Sequence, residues 1–537
     1  MPELIIYEPD YLVNVTTVAS CFETYAESPF VSIINRLKPQ ANTEHIHLGN
    51  LTGQFLDDTV HDRDIPFAQS MTRYFQMNAL EMLACEGFQS QQQAKAFYEK
   101  ARAQRANIRK LIGQDLRQSI ARYDSAHVTL EPTFFSDMLG IQGRLDFLYR
   151  HKKQTIIIEQ KSGKGDFVPP SSPSYDPEVP KPQEKHLVQL LLYRALLTYE
   201  FNLHSEELSH IMLLYSRYQQ GLVSVGQMPA LMLRAIRMRN LLAWCEIHHA
   251  QEGYAFLSTL SPEKLNRKQV GGILWNIYVR PELERLLLPI HQASPLERAY
   301  FLRFMQFLAQ ERLLSKVGSK TKEDAGFASK WLSSLEEKRA AGNIYEGLIL
   351  DDFQQDDDGV TGLMARFPQQ QSADTSNFRR GDIVLLYPYK EHTEPRVCAQ
   401  MVIRGSIEDI STEGIRLTLR NGQTDPKVFA KGSHTYWAIE HDLYDSSIDN
   451  LYSGLHRFLC APQERRSLLL SEREPVTDNS ISLRGDYGAF NNLVIRCKQA
   501  RELFLIIGPP GTGKTSFGML NLVKEQLLEE DTHILLI

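Results

Sequence analysis

The sequence predicts a multidomain α/β protein, and three observations carry that expectation. Its 537 residues are enough for three or four domains. Residues 143–193 read as a β-hairpin followed by an apolar helix, whereas residues 379–445 break into short alternating strands. Residues 503–526 then read as an apolar strand, a glycine-rich loop and a helix. Hydrophobic content of 42% and charge of 23% are those of an ordinary globular chain. A net charge of −6 requires any nucleic-acid site to be a local basic groove. The six cysteines are scattered, the opening MPELIIYEPDYL lacks a leader pattern, and no apolar run is long enough for a bilayer. The expectation is a cytoplasmic protein.

In chain order, Thr16 and Thr17 open a helical pattern, and LGNLTGQFLDDTV (48–60) begins a second helix. Residues 93–122 form a long polar helical pattern on which Arg102, Arg105 and Arg109 share one face. That face suits a phosphate backbone, or simply solvent. HVTLEPTFF (127–135) reads as a strand, with Glu131 either an accessory acid or one half of a strand-end ion pair.

The next segment carries the chemistry. LDFLYR (145–150) and TIIIEQ (155–160) flank the polar loop HKKQ. If Arg150 pairs with Thr155, Asp146 lies opposite Glu159 on the same face, with Cβ atoms about 5 Å apart. Two carboxylates at that spacing repel unless a divalent cation turns the repulsion into coordination. Lys161 returns to the same face two residues later. Gln189 and Tyr193, at i and i+4 on a helical run, share a face of their own. Two carboxylates and a lysine in this arrangement suit metal-assisted phosphodiester hydrolysis.

Asp146, Glu159-Gln160-Lys161 and Gln189-x-x-x-Tyr193 resemble the PD-(D/E)XK nucleases of the RecB-like branch. The resemblance implies that Asp146, Glu159 and the Gln160 backbone carbonyl bind Mg²⁺ or Mn²⁺. It implies that Lys161 positions or activates the attacking water, while Gln189 and Tyr193 complete the site from a following helix. RecB-like nucleases often carry Gly-x-x-x-His upstream, but here Gly49 is followed by Gly53. Asp57, His45 or His47 are candidate substitutes, each equally readable as a surface residue. Many such enzymes also hold an iron–sulfur cluster with one cysteine before the nuclease motifs and a close-spaced trio after them. Cys21 suits the first position, but Cys245, Cys398, Cys460 and Cys497 contain no C-x-x-C, so no cluster is expected.

The nuclease domain is expected over residues 1–226, with a proline-rich loop (six prolines between 169 and 182) and a core strand at 211–216. A helical region follows at 227–345, an acidic and polar linker at 346–378 and a small β-barrel at 379–445. Residues 446–537 contain LFLIIGPPGTGKT, a Walker A pattern. Gly508, Gly511, Thr512 and Gly513 would wrap the phosphates of ATP, Lys514 would neutralise their charge and Thr515 would hold the nucleotide's Mg²⁺. A barrel ahead of a P-loop resembles the superfamily-1 helicases of the Upf-like group, which implies the start of a RecA-like helicase domain. Upf-like helicases usually place an adenine-reading glutamine upstream of the loop, and that window here holds Phe490 and Asn491 instead. HILLI (533–537) reads as the second strand of that domain, and the chain is expected to be a fragment of a longer nuclease–helicase.

The functional expectation is a metal-dependent deoxyribonuclease acting on single-stranded or flap DNA, coupled to an ATP-dependent helicase in replication, repair or defence. The rival is a catalytically silent nuclease fold that holds DNA for a P-loop ATPase.

Overall fold

Two sheets share the N-terminal part of the chain, because the backbone changes sheet at two adjacent places. Strand β1 (Val13–Asn14) is followed by β2 (Val128–Leu130), β3 (Thr133–Ser136), β4 (Ile141–Arg144), β5 (Phe147–His151), β6 (Gln154–Lys161), β7 (Leu208–Tyr215) and β8 (Leu222–Ser224). The smaller sheet has the order β1-β4-β3 and the larger the order β2-β5-β6-β7-β8. The chain therefore crosses from the larger sheet to the smaller at Glu131–Pro132, and back at Leu145–Asp146. The computed structural model describes residues 4–120, 123–173, 175–203, 207–319, 326–356, 359–368, 376–398, 400–423, 426–429, 435–442 and 446–537.

The hairpin has the expected register, with Arg150 opposite Thr155 and Phe147 opposite Ile158. Its second strand is apolar on both sides because both sides are covered. Ile157 joins one core, with Leu190, Leu191 and Tyr193 of the Glu184–Glu200 helix. Ile156 and Ile158 join another, with Leu51 and Phe55 of the Glu44–Val60 helix and Phe97 and Ile108 of the Gln91–Lys110 helix. Each such side chain contributes about 1.5–3 kcal/mol relative to exposure. Strand periodicity then aims Glu159 and Lys161 toward the Glu184–Glu200 helix, on the Ile157 side. That helix is the crossover between the parallel strands β6 and β7.

A buried arginine closes the N-terminal segment onto this framework. Arg239, on the Pro229–Glu252 helix, donates from Nε to the Gly140 carbonyl (2.9 Å) and from Nη2 to those of Glu8 and Tyr11 (2.7 Å each). Gly140 has φ +62° and a Cβ there would meet the guanidinium, so both conformation and space demand glycine.

The barrel is larger than the sequence indicated. Strands β9 (Ile344–Asp356), β10 (Gly359–Arg366), β11 (Ile383–Lys390), β12 (Ile403–Ile410), β13 (Gly414–Gln423) and β14 (Thr435–His441) close in the order β10-β13-β12-β11-β14-β9. The segment 346–378 expected to be a linker thus supplies most of β9 and all of β10. Its polar run misled because the second half of β9 faces solvent, where acids and glutamines suit a strand as well as a loop. Most of PQQQSADTSN, the expected boundary, lies outside the described residues. Leu12 and Phe135 share one core with Leu385, Tyr387, Val402 and Ala438 of the barrel, and Val402 N–H donates to the Thr133 carbonyl at 2.9 Å.

The chain forms two compact units, residues 1–292 with 298–456, and residues 293–297 with 457–537. In the second unit Lys498 pairs with Glu525 at 2.5 Å, and Glu525 also accepts from Arg484 N–H, Gly485 N–H and the Tyr487 hydroxyl. Residues 503–507 and 533–537, expected as strands, form none. A strand needs a neighbour to take its backbone hydrogen bonds, and none of the described residues 457–537 lies in a strand. Among the described residues, no helix is long and apolar enough to cross a membrane.

Phe135 is fully buried and meets Phe327 edge-on, with ring centroids 5.4 Å apart. Phe135→Ala should cost about 3–5 kcal/mol, read as a lowered urea midpoint for the first unit. An unchanged midpoint would mean that the shared core does not hold the barrel in place.

Candidate active site

The two sheet crossings bring acids together. Asp146 stands one residue before β5 and Glu131 between β2 and β3, where Glu131 N–H donates to the Asp146 carbonyl at 3.2 Å. Glu131 has φ +51°, a strained backbone for a non-glycine residue. Its carboxylate pairs with Arg144 at 3.2 Å. The ion-pair reading of Glu131 therefore holds, and the same carboxylate also lines the cavity described next.

Glu159, 3% exposed, is the buried centre of the site. Its Oε1 accepts from Lys161 Nζ at 2.8 Å and from Gln189 Nε2 at 2.5 Å, while Lys161 Nζ also donates to Gln189 Oε1 at 3.1 Å. Asp146 Oδ2 accepts the Gln160 N–H at 2.6 Å. Burial, reinforced by the Asp146 charge, pushes the Glu159 carboxyl up to about 8, even with Lys161 alongside. Burial opposes the charge on Lys161, but Glu159 and Asp146 outweigh it and keep the ammonium above its usual range. The end of β6 is fixed from behind: Ser216 N–H donates to the Lys161 carbonyl (3.0 Å), and Gln104 Nε2 to that of Ser162 (3.1 Å).

Two cavities meet at this cluster. One, of about 520 Å³, is lined by Asp57, Glu131, Asp146, Glu159, Lys161, Gln189 and Tyr193, and also by Arg404 and Arg420 of the barrel. The other, of about 670 Å³, shares Asp57, Glu131, Arg144, Asp146 and Lys161 and opens past Arg63, Lys164 and Lys185. Gly49, Gly53 and Asp57 recur at helical spacing on the Glu44–Val60 helix, and all three line the second cavity. A Cβ at Gly53 would meet nothing within 4 Å. Of the proposed substitutes, only Asp57 faces the acids. Burial, Glu131, Asp58 and Asp146 all push its carboxyl up, against Arg63. His47 is buried elsewhere, bonded to the Tyr74 hydroxyl and Asn42 Oδ1 at 2.9 Å each, and His45 is exposed.

The chemistry of this donor set fits a divalent cation. Glu159 Oε2 is buried with no hydrogen-bond partner, a state that costs about 1–3 kcal/mol for a polar group. Burial drives Asp57, Glu131 and Glu159 toward neutrality, and neighbouring acids add a repulsion that a cation would offset. Among the described residues, no three His, Cys, Asp or Glu side chains stand in ligating geometry. The observed hydrogen bonds explain this, since Asp146 is turned to a backbone amide and Glu159 Oε1 to Lys161 and Gln189.

Residues 19–266 match the profile of the PD-(D/E)XK nuclease superfamily. That stretch is a PD-(D/E)XK nuclease superfamily domain. Comparison with curated proteins finds no match for the chain. The nuclease domain brings Asp146, Glu159, Lys161 and Gln189 together as the sequence implied. Tyr193 is buried beside them but donates to the Arg144 carbonyl at 2.7 Å, so it braces the backbone before Asp146. The expected arginine face dissolves: Arg105 is buried, 5.6 Å from each of the Phe55 and Phe67 rings, and Arg109 pairs with Asp64 at 3.3 Å. Arg404 and Arg420 were missed. No local pattern marks them, because they reach the cavity only through the packing of the barrel.

In the second unit, Gly511 (φ +81°) and Gly513 (φ +77°) take left-handed conformations, and Lys514 and Thr515 open a helical turn at Lys514–Met519. Lys514 Nζ folds back on the Gly508 and Pro509 carbonyls. Phe490 stacks on Phe517, with ring centroids 5.9 Å apart.

Gly143 lies directly over Tyr193: an added Cβ would stand 2.6 Å from the ring's Cε1. Gly143→Ala should displace the ring from the Arg144 carbonyl, lowering both the melting temperature and any nuclease activity. A variant that melts and cuts like wild type would show that the tyrosine does not brace Asp146.

Proposed function

We propose that the nuclease domain is a metal-dependent deoxyribonuclease that prefers single-stranded or flap DNA. The observation that carries the reading is the buried cluster Glu159–Lys161–Gln189 beside Asp146, with Glu159 Oε2 left unpartnered. Asp146, Glu159 and the Gln160 carbonyl are the proposed holders of Mg²⁺ or Mn²⁺, with Asp57 in place of the histidine that Gly53 lacks. When bound, such an ion polarises the phosphodiester and acidifies water. Lys161 would orient the attacking water and offset charge growing on the phosphoryl oxygens. Gln189 keeps Lys161 and Glu159 in register, and Tyr193 holds the Arg144 backbone. The acids lie at the base of a cavity with barrel residues in its wall, which a single strand enters more readily than a duplex.

The test is degradation of labelled single-stranded DNA with Mg²⁺ or Mn²⁺ and no ATP. Asp146→Ala and Glu159→Ala should abolish cutting while DNA binding is kept, or tightened for Asp146→Ala, which removes a charge that repels phosphate. Lys161→Ala should be inactive yet still bind metal by calorimetry. Wild type that cuts nothing with either metal, or Asp146→Ala that cuts like wild type, would replace this reading with the rival of a silent DNA-binding module.

We infer further that Gly508, Gly511, Thr512, Gly513, Lys514 and Thr515 bind the phosphates and Mg²⁺ of ATP as part of a superfamily-1 helicase coupled to the nuclease. The glycine conformations of the GPPGTGKT loop support this. Lys514→Ala should weaken binding of a fluorescent ATP analogue by at least roughly tenfold. An affinity for the analogue that Lys514→Ala leaves unchanged would refute that assignment.

A further inference from the structure

The barrel reaches the nuclease cavity with two arginines side by side. Gly405 pairs with Leu419, so the antiparallel register places Arg404 opposite Arg420 one step further along β12 and β13. Both line the cavity that holds Asp146, Glu159 and Lys161. Like charges directly opposite on neighbouring strands repel. Asp442 offsets part of this, 2.9 Å from Arg404 Nε, and the Arg404 guanidinium lies over the Phe135 ring at 5.9 Å. Arg420 is exposed at the cavity wall. The placement is rigid, because β12 is held by the Val402–Thr133 hydrogen bond and by the apolar core that the barrel shares with Leu12 and Phe135.

We propose that Arg404 and Arg420 form a phosphate-binding wall, contributed by the barrel, that holds the substrate strand against the nuclease acids. The acids repel a polyanion, and the wall across the cavity supplies the compensating charge. A phosphodiester between the guanidiniums would relieve their mutual repulsion and take charge-assisted hydrogen bonds. The barrel is then half of the nuclease's substrate site. This rests on the nuclease reading for its catalytic consequence, but not for the binding itself.

The experiment measures binding of a labelled oligothymidylate to the full chain by fluorescence anisotropy in EDTA across a salt series, then cleavage kinetics with Mg²⁺. Arg420→Ala should weaken binding roughly tenfold and make the salt slope shallower by about 0.7, the loss of one single-strand phosphate contact. Arg420→Lys should keep most of the slope while losing part of the affinity. In the cleavage assay Arg420→Ala should raise KM far more than it lowers kcat. Arg404→Lys probes the second position without removing the charge that Asp442 needs. Arg380→Ala, an exposed barrel arginine outside the cavity, should change nothing. Should Arg420→Ala fail to fold by circular dichroism, Arg420→Gln takes its place. Wild type that binds with an Arg420-dependent salt slope but does not cut would support the wall and sink the nuclease reading. Cutting with affinity, salt slope and KM all indifferent to Arg420 would overturn the wall and leave the nuclease standing.

Discussion

The burial of the Glu159 carboxylate beside that of Asp146 is the interaction on which the first unit depends. Ionising a carboxyl that has been taken out of water forfeits several kcal/mol of solvation, which is why burial pushes Glu159 up to about 8. Lys161 and Gln189 return part of that through three short contacts, all of them to Oε1 or to each other. Oε2 receives nothing from the protein. The two apolar cores on either face of β6 hold the strand where its own charges would not. This balance suits a site completed by something that arrives.

Precision at the site comes from backbone rather than from side-chain reach. The chain changes sheet twice within one small region, and the carbonyl of Asp146 accepts from the amide of Glu131 across that crossing. The left-handed backbone at Glu131 is local strain that the surrounding ladders impose. Behind the site, Gln104 and Asn107 of the Gln91–Lys110 helix bond to the turn after β6 and to the Ser216 carbonyl. At the other end, Arg239 binds the N-terminal segment to the turn before β4. Each of these clamps is a buried or half-buried polar group with its partner supplied, so loosening any of them exposes an unsatisfied group.

Barrel closure matters to the nuclease for a related reason. A closed six-stranded barrel has no free edge along its ring, yet Val402, just before β12, bonds outward to Thr133. That single contact, together with the core around Phe135 and Tyr387, turns a separate sequence block into a wall of the cavity that holds the acids. The proposed substrate path therefore draws its negative groups from one block of sequence and much of its positive charge from another.

The sequence by itself determined the hairpin, its register and the shared face of Asp146, Glu159 and Lys161, while the meeting of Gln189 with them was implied only by the resemblance. Those features follow from strand and helix periods acting over a few dozen residues, where local pattern dictates which side chains share a face. It also placed glycines at 511 and 513 of the GPPGTGKT loop, where the backbone proves to be left-handed. Only the tertiary structure decided which of Asp57, His45 and His47 faces the acids, since that depends on how the Glu44–Val60 helix is rotated against the sheet. It decided, too, that Arg105 is buried while Arg404 and Arg420 look into the cavity. Polar composition concealed the second half of β9, because a strand half in solvent is written in the same residues as a loop. The strands expected at 503–507 and 533–537 did not form, because apolar pattern states a preference for a sheet and only a neighbouring strand can satisfy it.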